Sequence, residues 1–174
     1  MREIEVKILE INREEVENKL LELGAKKVFE GVMKSIIFDY DDGSIINNKK
    51  LLRLRSEGDK NILCFKDKVS YGNTLSCDEM EISVSDYDKT VEILNMLGLK
   101  DFQSNEKRRV SYVFDDVHFD FDKHLGERDI IPEYMEIEAK GIKDIHKYAE
   151  ILGFKKSDCK AINGWQVYQH YKNK

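Results

Sequence analysis

The chain has 174 residues, with 29 Lys or Arg and 34 Asp or Glu, so 36% of it is charged against about 25% in an ordinary globular domain. Its hydrophobic share of 41% suffices for a core, and the length predicts a single domain over residues 1–174. The net charge of -5 argues against a surface for duplex nucleic acid, and no apolar run approaches the roughly 20 residues of a membrane span.

Cysteine usage and the N-terminus indicate the compartment. The cysteines are odd in number, widely spaced and in no CxxC pair: Cys64, Cys77 and Cys159. This pattern argues against a disulfide scaffold or a structural zinc site. The first residues are acidic, where a signal peptide would be basic and then apolar. We therefore expect a reduced, cytoplasmic protein.

Hydrophobic periodicity and turn residues predict about eight strands and four helices, an α+β pattern. In chain order, the strands are expected over 3–9, 28–40, 51–56, 61–69, 76–84, 107–114, 117–121 and 134–140. The helices are expected over 12–23, 86–97, 143–152 and 162–171. Asn12 is the expected N-cap of the first helix, and Gly24 closes it.

Charged residues recur two apart on these strands, with apolar residues between them, so each strand has one charged face. The charged positions are Glu3, Glu5 and Lys7; Arg53 and Arg55; Lys66; Glu79 and Glu81; Lys107 and Arg109; His118, Asp120 and Asp122; and Glu136 and Glu138. For any one strand, a solvated sheet face explains the pattern. Because the like-charged pairs repel each other, the whole set favours a ligand of opposite sign and a sheet closed into a barrel with a charged lumen.

Two ligand chemistries fit such a lumen. Arginine forks suit phosphate oxygens, and lysines add point charges. Clustered carboxylates hold hard cations such as Mg²⁺ or Mn²⁺, which commonly bridge carboxylates to phosphates. Because burying this much charge without a ligand would be costly, the sequence predicts a site for a polyphosphate and divalent metal ions.

The N-terminal segment Glu3-Ile4-Glu5-Val6-Lys7 carries an ExExK motif. It is followed in order by Leu52-Arg53-Leu54-Arg55, Lys66, Lys107 with Arg109, Asp120, Leu125-Gly126, Glu136-Ile137-Glu138 and Lys160. Over essentially its whole length the chain resembles the CYTH superfamily, the triphosphate tunnel metalloenzymes, which include class IV adenylyl cyclases and thiamine triphosphatases. The resemblance implies an eight-stranded antiparallel closed β-barrel, the triphosphate tunnel, with helices packed outside.

The resemblance also implies roles for the charged residues. The expected phosphate contacts are Lys7, Arg53, Arg55, Lys66, Lys107, Arg109 and Lys160, the last being the least secure because Ala161-Ile162 follows it where an aromatic residue is usual. Asp120, Glu136, Glu138 and one of Glu79 or Glu81 would hold the first metal ion. Glu3, Glu5 and Lys7 form the expected catalytic set, in which the two carboxylates serve a second metal ion or orient the nucleophile. The choice between Asp120 and Asp122 stays open, although the spacing to Leu125-Gly126 favours Asp120.

We therefore expect a Mg²⁺- or Mn²⁺-dependent enzyme that acts on a triphosphate-containing small molecule and resembles the class IV adenylyl cyclases, converting ATP to cyclic AMP and pyrophosphate. Hydrolysis of tripolyphosphate, thiamine triphosphate or a nucleoside triphosphate is the alternative. A non-catalytic polyphosphate- or nucleotide-binding module is another. A membrane association is not expected, and a homodimer stays open.

Overall fold

The computed structural model describes residues 4–71 and 75–174, with side chains outside 68–77. Its eight strands are β1 (Ile4–Ile8), β2 (Lys26–Asp39), β3 (Leu51–Glu57), β4 (Lys60–Tyr71), β5 (Leu75–Val84), β6 (Lys100–Phe114), β7 (Val117–His124) and β8 (Tyr134–Ala139). The α-helices are α1 (Arg13–Glu22), α2 (Ser44–Asn47), α3 (Tyr87–Met96), α4 (Ile142–Ile151) and α5 (Gly164–Lys172). None of the helices in the described residues is long and apolar enough to cross a membrane.

The eight strands are all antiparallel and form a closed ring in the order β1-β5-β4-β3-β2-β6-β7-β8. The two sides of β1 differ in how they are paired. Along one side, β1 pairs with β8 from Ile4–Ala139 to Ile8–Met135. Along the other, the register with β5 contains the pair Glu5–Leu75, and an isolated bridge joins Lys7 to Lys160 through two backbone hydrogen bonds of 2.9 Å. The ring is therefore closed by a short seam beside β1.

The helices cover the outside of the ring, as the sequence predicts. In the largest apolar core, the outward-facing residues of β1, β6, β7 and β8 pack against α1 and α4. Phe119, Phe121 and Ile137 contribute from the strands, and Leu20 and Ile145 from the helices. Because the apolar positions of the alternating strands are used here, the charged positions between them face the lumen.

Two smaller cores complete the packing. Phe38 and Leu54, on β2 and β3, pack with Leu94 of α3. Val167 of α5 packs with Ile131 and with Tyr134 at the start of β8. Helices α1, α3 and α4 thus cover part of the outer face, where Met80 and Ile82 of β5 stay 71% and 55% exposed, and the charged face is left for the site.

The predicted helices α1, α3, α4 and α5 all form, and two of their caps are as expected from the residue types. The Asn12 side chain accepts a hydrogen bond from the Glu15 N–H, and the Asp86 side chain accepts one from the Lys89 N–H. Gly24 follows α1 with a φ of 88°, a conformation that favours glycine. The sequence signals for helix ends are confirmed at these positions.

Two elements differ from the sequence-based expectation. The sequence predicts no helix between β2 and β3, but α2 forms there because the buried Asp39 carboxylate accepts hydrogen bonds from the backbone N–H groups of Ile45 and Ile46. Strand β6 begins at Lys100 rather than at Lys107. Its first residues are polar and lack alternation, and β2 holds them in register from Asp39–Lys100 onward.

A candidate polyphosphate and metal site in the charged tunnel

The charged lumen divides into two walls. The acidic wall consists of Glu5 and Lys7 on β1, Lys107 and Arg109 on β6, Asp120 and Asp122 on β7, and Glu136 and Glu138 on β8. The basic wall consists of Arg53 and Arg55 on β3, Cys64 and Lys66 on β4, and Glu79 and Glu81 on β5. Within each wall these residues share one face of the sheet. They lie opposite one another on neighbouring strands or two positions apart along a strand.

Arg109 is the centre of the acidic wall. Its Nε donates to Oδ1 of Asp122 at 2.7 Å, and its Nη2 donates to Oε2 of Glu136 at 2.6 Å. Its Nη1 contacts Asp120. Burial alone would lower the pKa of this guanidinium, but the Asp122, Glu136 and Asp120 carboxylates outweigh burial and raise that pKa. The guanidinium is thus shared by three carboxylates.

Two lysines extend this network on either side of Arg109. Lys7 is buried, and its Nζ lies 2.9 Å from Oε1 of Glu136 and 3.0 Å from Oε1 of Glu5. Lys107 contacts Asp122, whose side chain is 0% exposed. Because Glu136 interacts with Lys7, Lys107 and Arg109, the pKa of its carboxyl is held well below the ordinary value despite its burial. The acidic wall is therefore a continuous buried ion-pair network.

The acidic wall carries more carboxylates than cations, five against three, so it has two negative charges in excess. The pKa of the Asp120 carboxyl reflects this excess. Burial raises that pKa, and the charges of Asp122 and Glu136 raise it further against the opposing effect of Arg109. Carboxylate oxygens in this number are the ligands that hard divalent cations prefer. The donor set and its charge both fit a Mg²⁺ or Mn²⁺ ion.

The basic wall is looser. Arg55 Nη2 lies 3.3 Å from Oε1 of Glu81, and Arg53 Nη2 lies 4.0 Å from Oε1 of Glu79. The side chains of Arg53 and Arg55 are 25% and 22% exposed, and their Nε atoms are buried without a hydrogen-bond partner. Buried donors without hydrogen-bond partners are rare in folded proteins, so these two Nε atoms can accommodate an acceptor, and an anion such as phosphate would be one.

A second group of potential metal ligands lies in the basic wall. One ligand atom each from Cys64, Glu79 and Glu81 lies within 4.8 Å of the others. The Cys64 thiol donates to Oε1 of Glu79 at 2.8 Å, and Lys66 Nζ lies 2.8 Å from Oε2 of the same carboxylate. Burial opposes ionisation, but these contacts lower the pKa of Glu79 to about 2, whereas burial and Glu79 raise the pKa of Cys64 to about 12.

The predicted site residues fall into these two groups. The structure brings Lys7, Lys107 and Arg109 together with Glu5, Asp120, Glu136 and Glu138, and it brings Arg53, Arg55 and Lys66 together with Glu79 and Glu81. Every ion pair given above joins residues of the same wall. Lys160 is exposed and lies at the seam, where its register with Lys7 gives it the same face. The predicted catalytic Glu3 lies outside the described residues.

Asp122, Cys64 and His124 are polar residues of the lumen that were not among the predicted site residues, although Asp122 was left open as the alternative to Asp120. Both Asp120 and Asp122 contact Arg109. The sequence analysis treats them as alternatives, whereas the structure brings both carboxylates to the same guanidinium. Cys64 lies two residues before Lys66 and faces the same way, as parity along β4 would have indicated. His124 continues the Asp120 face, where its Nε2 lies 3.1 Å from the Tyr134 hydroxyl.

The antiparallel ring, its outer helices and its two charged walls define the class: a β-tunnel protein whose lumen combines clustered acidic and basic side chains. The sequence assigns the family. Residues 1–158 match the model of the CYTH domain, and the chain belongs to the CYTH family.

Relatives agree over nearly full length. The chain is 26% identical over 167 residues to a Methanocaldococcus jannaschii protein named "Putative adenylate cyclase MJ0240". The matched region covers 94% of this chain and 90% of that protein. The PH1012 protein from Pyrococcus horikoshii OT3 superposes with a TM-score of 0.78 at 25% identity, over 95% of this chain and 98% of that one. A Hippeastrum structure, described as "Putative adenylyl cyclase HpAC1" with "a dominant triphophatase activity", has a TM-score of 0.68 at 14% identity, over 97% and 95% of the two chains.

Proposed function

We propose that this protein is a divalent-metal-dependent enzyme that binds a triphosphate inside the tunnel and resembles the class IV adenylyl cyclases in converting ATP to cyclic AMP and pyrophosphate. The observation that carries the proposal is the pair of unpartnered arginine Nε atoms on the basic wall, in a lumen whose acidic wall has two negative charges in excess. One wall thus calls for an anion and the other for a cation, and a metal–triphosphate complex supplies both.

The basic side chains have distinct tasks in this proposal. Arg53 and Arg55 bind the phosphate oxygens, since their ion pairs lie at 3.3 to 4.0 Å and their Nε atoms have no hydrogen-bond partner, and Lys66 adds a third cation from β4. Lys7, Lys107 and Arg109 add phosphate contacts from the acidic wall, and Lys160 does so at the seam. Preorganised cations of this kind stabilise the charge that develops on a transferring phosphoryl group.

The carboxylates hold the metal ion. Asp120, Glu136, Glu138 and one of Glu79 or Glu81 are the proposed ligands, and Mg²⁺ or Mn²⁺ fits their oxygen donors. When bound, such a cation neutralises phosphate charge and lowers the pKa of a coordinated hydroxyl or water. Glu3 and Glu5 orient the nucleophile or serve a second cation, and Lys7 holds the Glu5 carboxylate at 3.0 Å.

In the cyclase reaction, the ribose 3′-oxygen forms a bond to the α-phosphorus as its proton leaves. The bond from the α-phosphorus to the bridging oxygen breaks, and pyrophosphate departs. Hydrolysis is the second candidate, in which water attacks a phosphorus atom of the same bound chain and orthophosphate is released. It is supported by the description of the Hippeastrum relative as dominantly a triphosphatase.

Product analysis separates these reactions. ATP and tripolyphosphate are supplied separately with Mg²⁺ or Mn²⁺, and the products are resolved by anion-exchange chromatography. We expect cyclic AMP and pyrophosphate from ATP. Orthophosphate from both substrates, without cyclic AMP, would replace the cyclase by a triphosphatase. Chelation of the metal with EDTA is expected to abolish turnover in either case.

A variant tests whether the protein is an enzyme at all. Glu136→Gln removes a proposed metal ligand, so we expect turnover to be lost while tripolyphosphate still binds in a titration calorimeter. Glu133→Gln is the matched control, because Glu133 pairs with Arg13, 3.1 Å away, rather than with a member of either wall. Tight tripolyphosphate binding by the wild-type protein with no turnover under either metal would instead make this a non-catalytic polyphosphate-binding module.

A further inference from the structure

A β-bulge in β2 turns one aromatic side chain into the tunnel. Lys27 lies opposite Tyr112, which belongs to the apolar core outside the ring. The register then shifts at Val28, and Phe29 lies opposite Ser111, which hydrogen-bonds to the lumen residue Asp120. Because opposed residues of an antiparallel pair share a face, the bulge moves Phe29 from the outer face to the lumen.

Two glycines lie beside this ring, and the lack of a side chain at Gly31 makes room for it. A Cβ atom on Gly31 would lie 3.0 Å from Cζ of Phe29, and one on Gly58, in the turn between β3 and β4, would lie 3.7 Å from its Cε2. Gly31 is also the residue opposite Arg109 in the register. The Phe29 ring therefore lies against glycine backbone. Along the tunnel it lies between the β3–β4 turn, which contains Gly58, and the level of Arg109.

The ring has no place in the apolar packing of the fold. Phe29 is half-buried but belongs to none of the three apolar cores of the described residues. Met33, which is buried, follows it on the same face and likewise lies outside those cores. A phosphate gains nothing from such an apolar surface, whereas a planar ring joined to the phosphate chain would stack on it.

We infer that Phe29 determines substrate specificity by stacking on the planar heteroaromatic ring of an organic triphosphate, so that the tunnel prefers a triphosphate monoester to inorganic tripolyphosphate. This inference rests on the proposed binding of a triphosphate in the tunnel. The phosphate chain then lies among the cations of both walls, and the ring lies toward the turn that contains Gly58.

The test compares the affinity of two probes, ATP and tripolyphosphate, by titration calorimetry with Mg²⁺. Phe29→Ala is expected to lower the ratio of ATP affinity to tripolyphosphate affinity about tenfold, the effect of losing one base–aromatic stack. Phe29→Tyr keeps a ring and is expected to keep the wild-type ratio. Phe102→Ala is the matched control, because Phe102 lies at the other register shift between β2 and β6 and is 59% exposed.

Thiamine triphosphate is the third probe and distinguishes the two kinds of ring. A larger loss for ATP assigns the surface to a purine, and a larger loss for thiamine triphosphate assigns it to the thiamine rings. An unchanged ratio in Phe29→Ala, or an equal loss for all three probes, would overturn the inference and leave Phe29 a structural residue. In that case tight tripolyphosphate binding still supports the proposed function, whereas a wild-type protein that binds no probe overturns both.

Discussion

The two walls of the tunnel contain the same types of charged side chain but hold them differently. On the acidic wall, three carboxylates share the Arg109 guanidinium. Lys7 lies within 3.0 Å of two carboxylates, and Lys107 contacts Asp122. On the basic wall, the arginine ion pairs lie at 3.3 to 4.0 Å, including that of Arg55 Nε with Glu57 at 3.8 Å, and the Nε atoms have no hydrogen-bond partner. Charge alone therefore does not mark the phosphate-binding side.

The difference indicates a division between structure and binding. The acidic-wall network is buried, so its cations offset the cost of burying carboxylates and are part of what holds β1, β6, β7 and β8 together. The basic-wall arginines are paired at longer distances, so exchanging those partners for phosphate oxygens would cost less. The predictions below test whether the walls really separate in this way.

The largest expected effect follows removal of the central acidic-wall cation. Arg109→Met leaves Asp120, Asp122 and Glu136 without their shared partner, so we expect the free energy of unfolding to fall by about 3–5 kcal/mol. Urea denaturation followed by circular dichroism measures it. Arg55→Met is the matched control on the other wall and should cost less than about 1 kcal/mol. Equal losses in the two variants would show that the walls do not differ in this respect.

The second effect is a dependence of stability on pH that arises at one end of the acidic wall. Burial lowers the pKa of His124 to about 4 from 6.5, so between these values the unfolded chain binds a proton that the folded protein does not. Stability should therefore fall as the pH falls through this window, by on the order of 3 kcal/mol from this residue. His124→Gln should flatten the slope in urea titrations between pH 4 and 7. His118→Gln, on the exposed part of the same strand, is the control, and an unaltered slope in His124→Gln would contradict the assignment.

The smallest effect on stability should accompany a clear effect on binding. Arg55→Gln removes a loosely paired guanidinium, so we expect tripolyphosphate affinity to fall at least about tenfold while the unfolding free energy changes by less than about 1 kcal/mol. Calorimetric titration and urea denaturation of the same preparation measure the two quantities. A variant that loses stability but binds normally would reverse the roles assigned to the basic wall.

Much of the fold could be predicted because alternation and capping are local. Charges two apart at Arg53 and Arg55, or at Glu136 and Glu138, identify the lumen face of a strand without knowledge of its neighbours. Asn12 and Asp86 likewise identify helix starts. These signals depend on a few adjacent residues, so a single sequence carries them in full.

The rest depends on contacts between distant segments. The bulge at Val28 reverses the face of Phe29, and strict alternation along β2 cannot reveal it because it is defined by register with β6. Asp39 supports α2 through a buried carboxylate that composition does not distinguish from a surface one. Alternation along the strands places both Arg53 and Arg109 in the lumen. Only the three-dimensional structure shows that Arg109 is already hydrogen-bonded to three carboxylates.

The seam beside β1 has a consequence for how the chain folds. Strands β3, β4 and β5 are joined by short connections and can pair soon after they emerge from the ribosome. The first strand cannot complete its pairing so early, because Ile4 pairs with Ala139 and Lys7 pairs with Lys160, near the opposite end of the sequence. Contacts of such high sequence separation slow folding. The tunnel therefore completes its ring only after almost the whole chain has been synthesised.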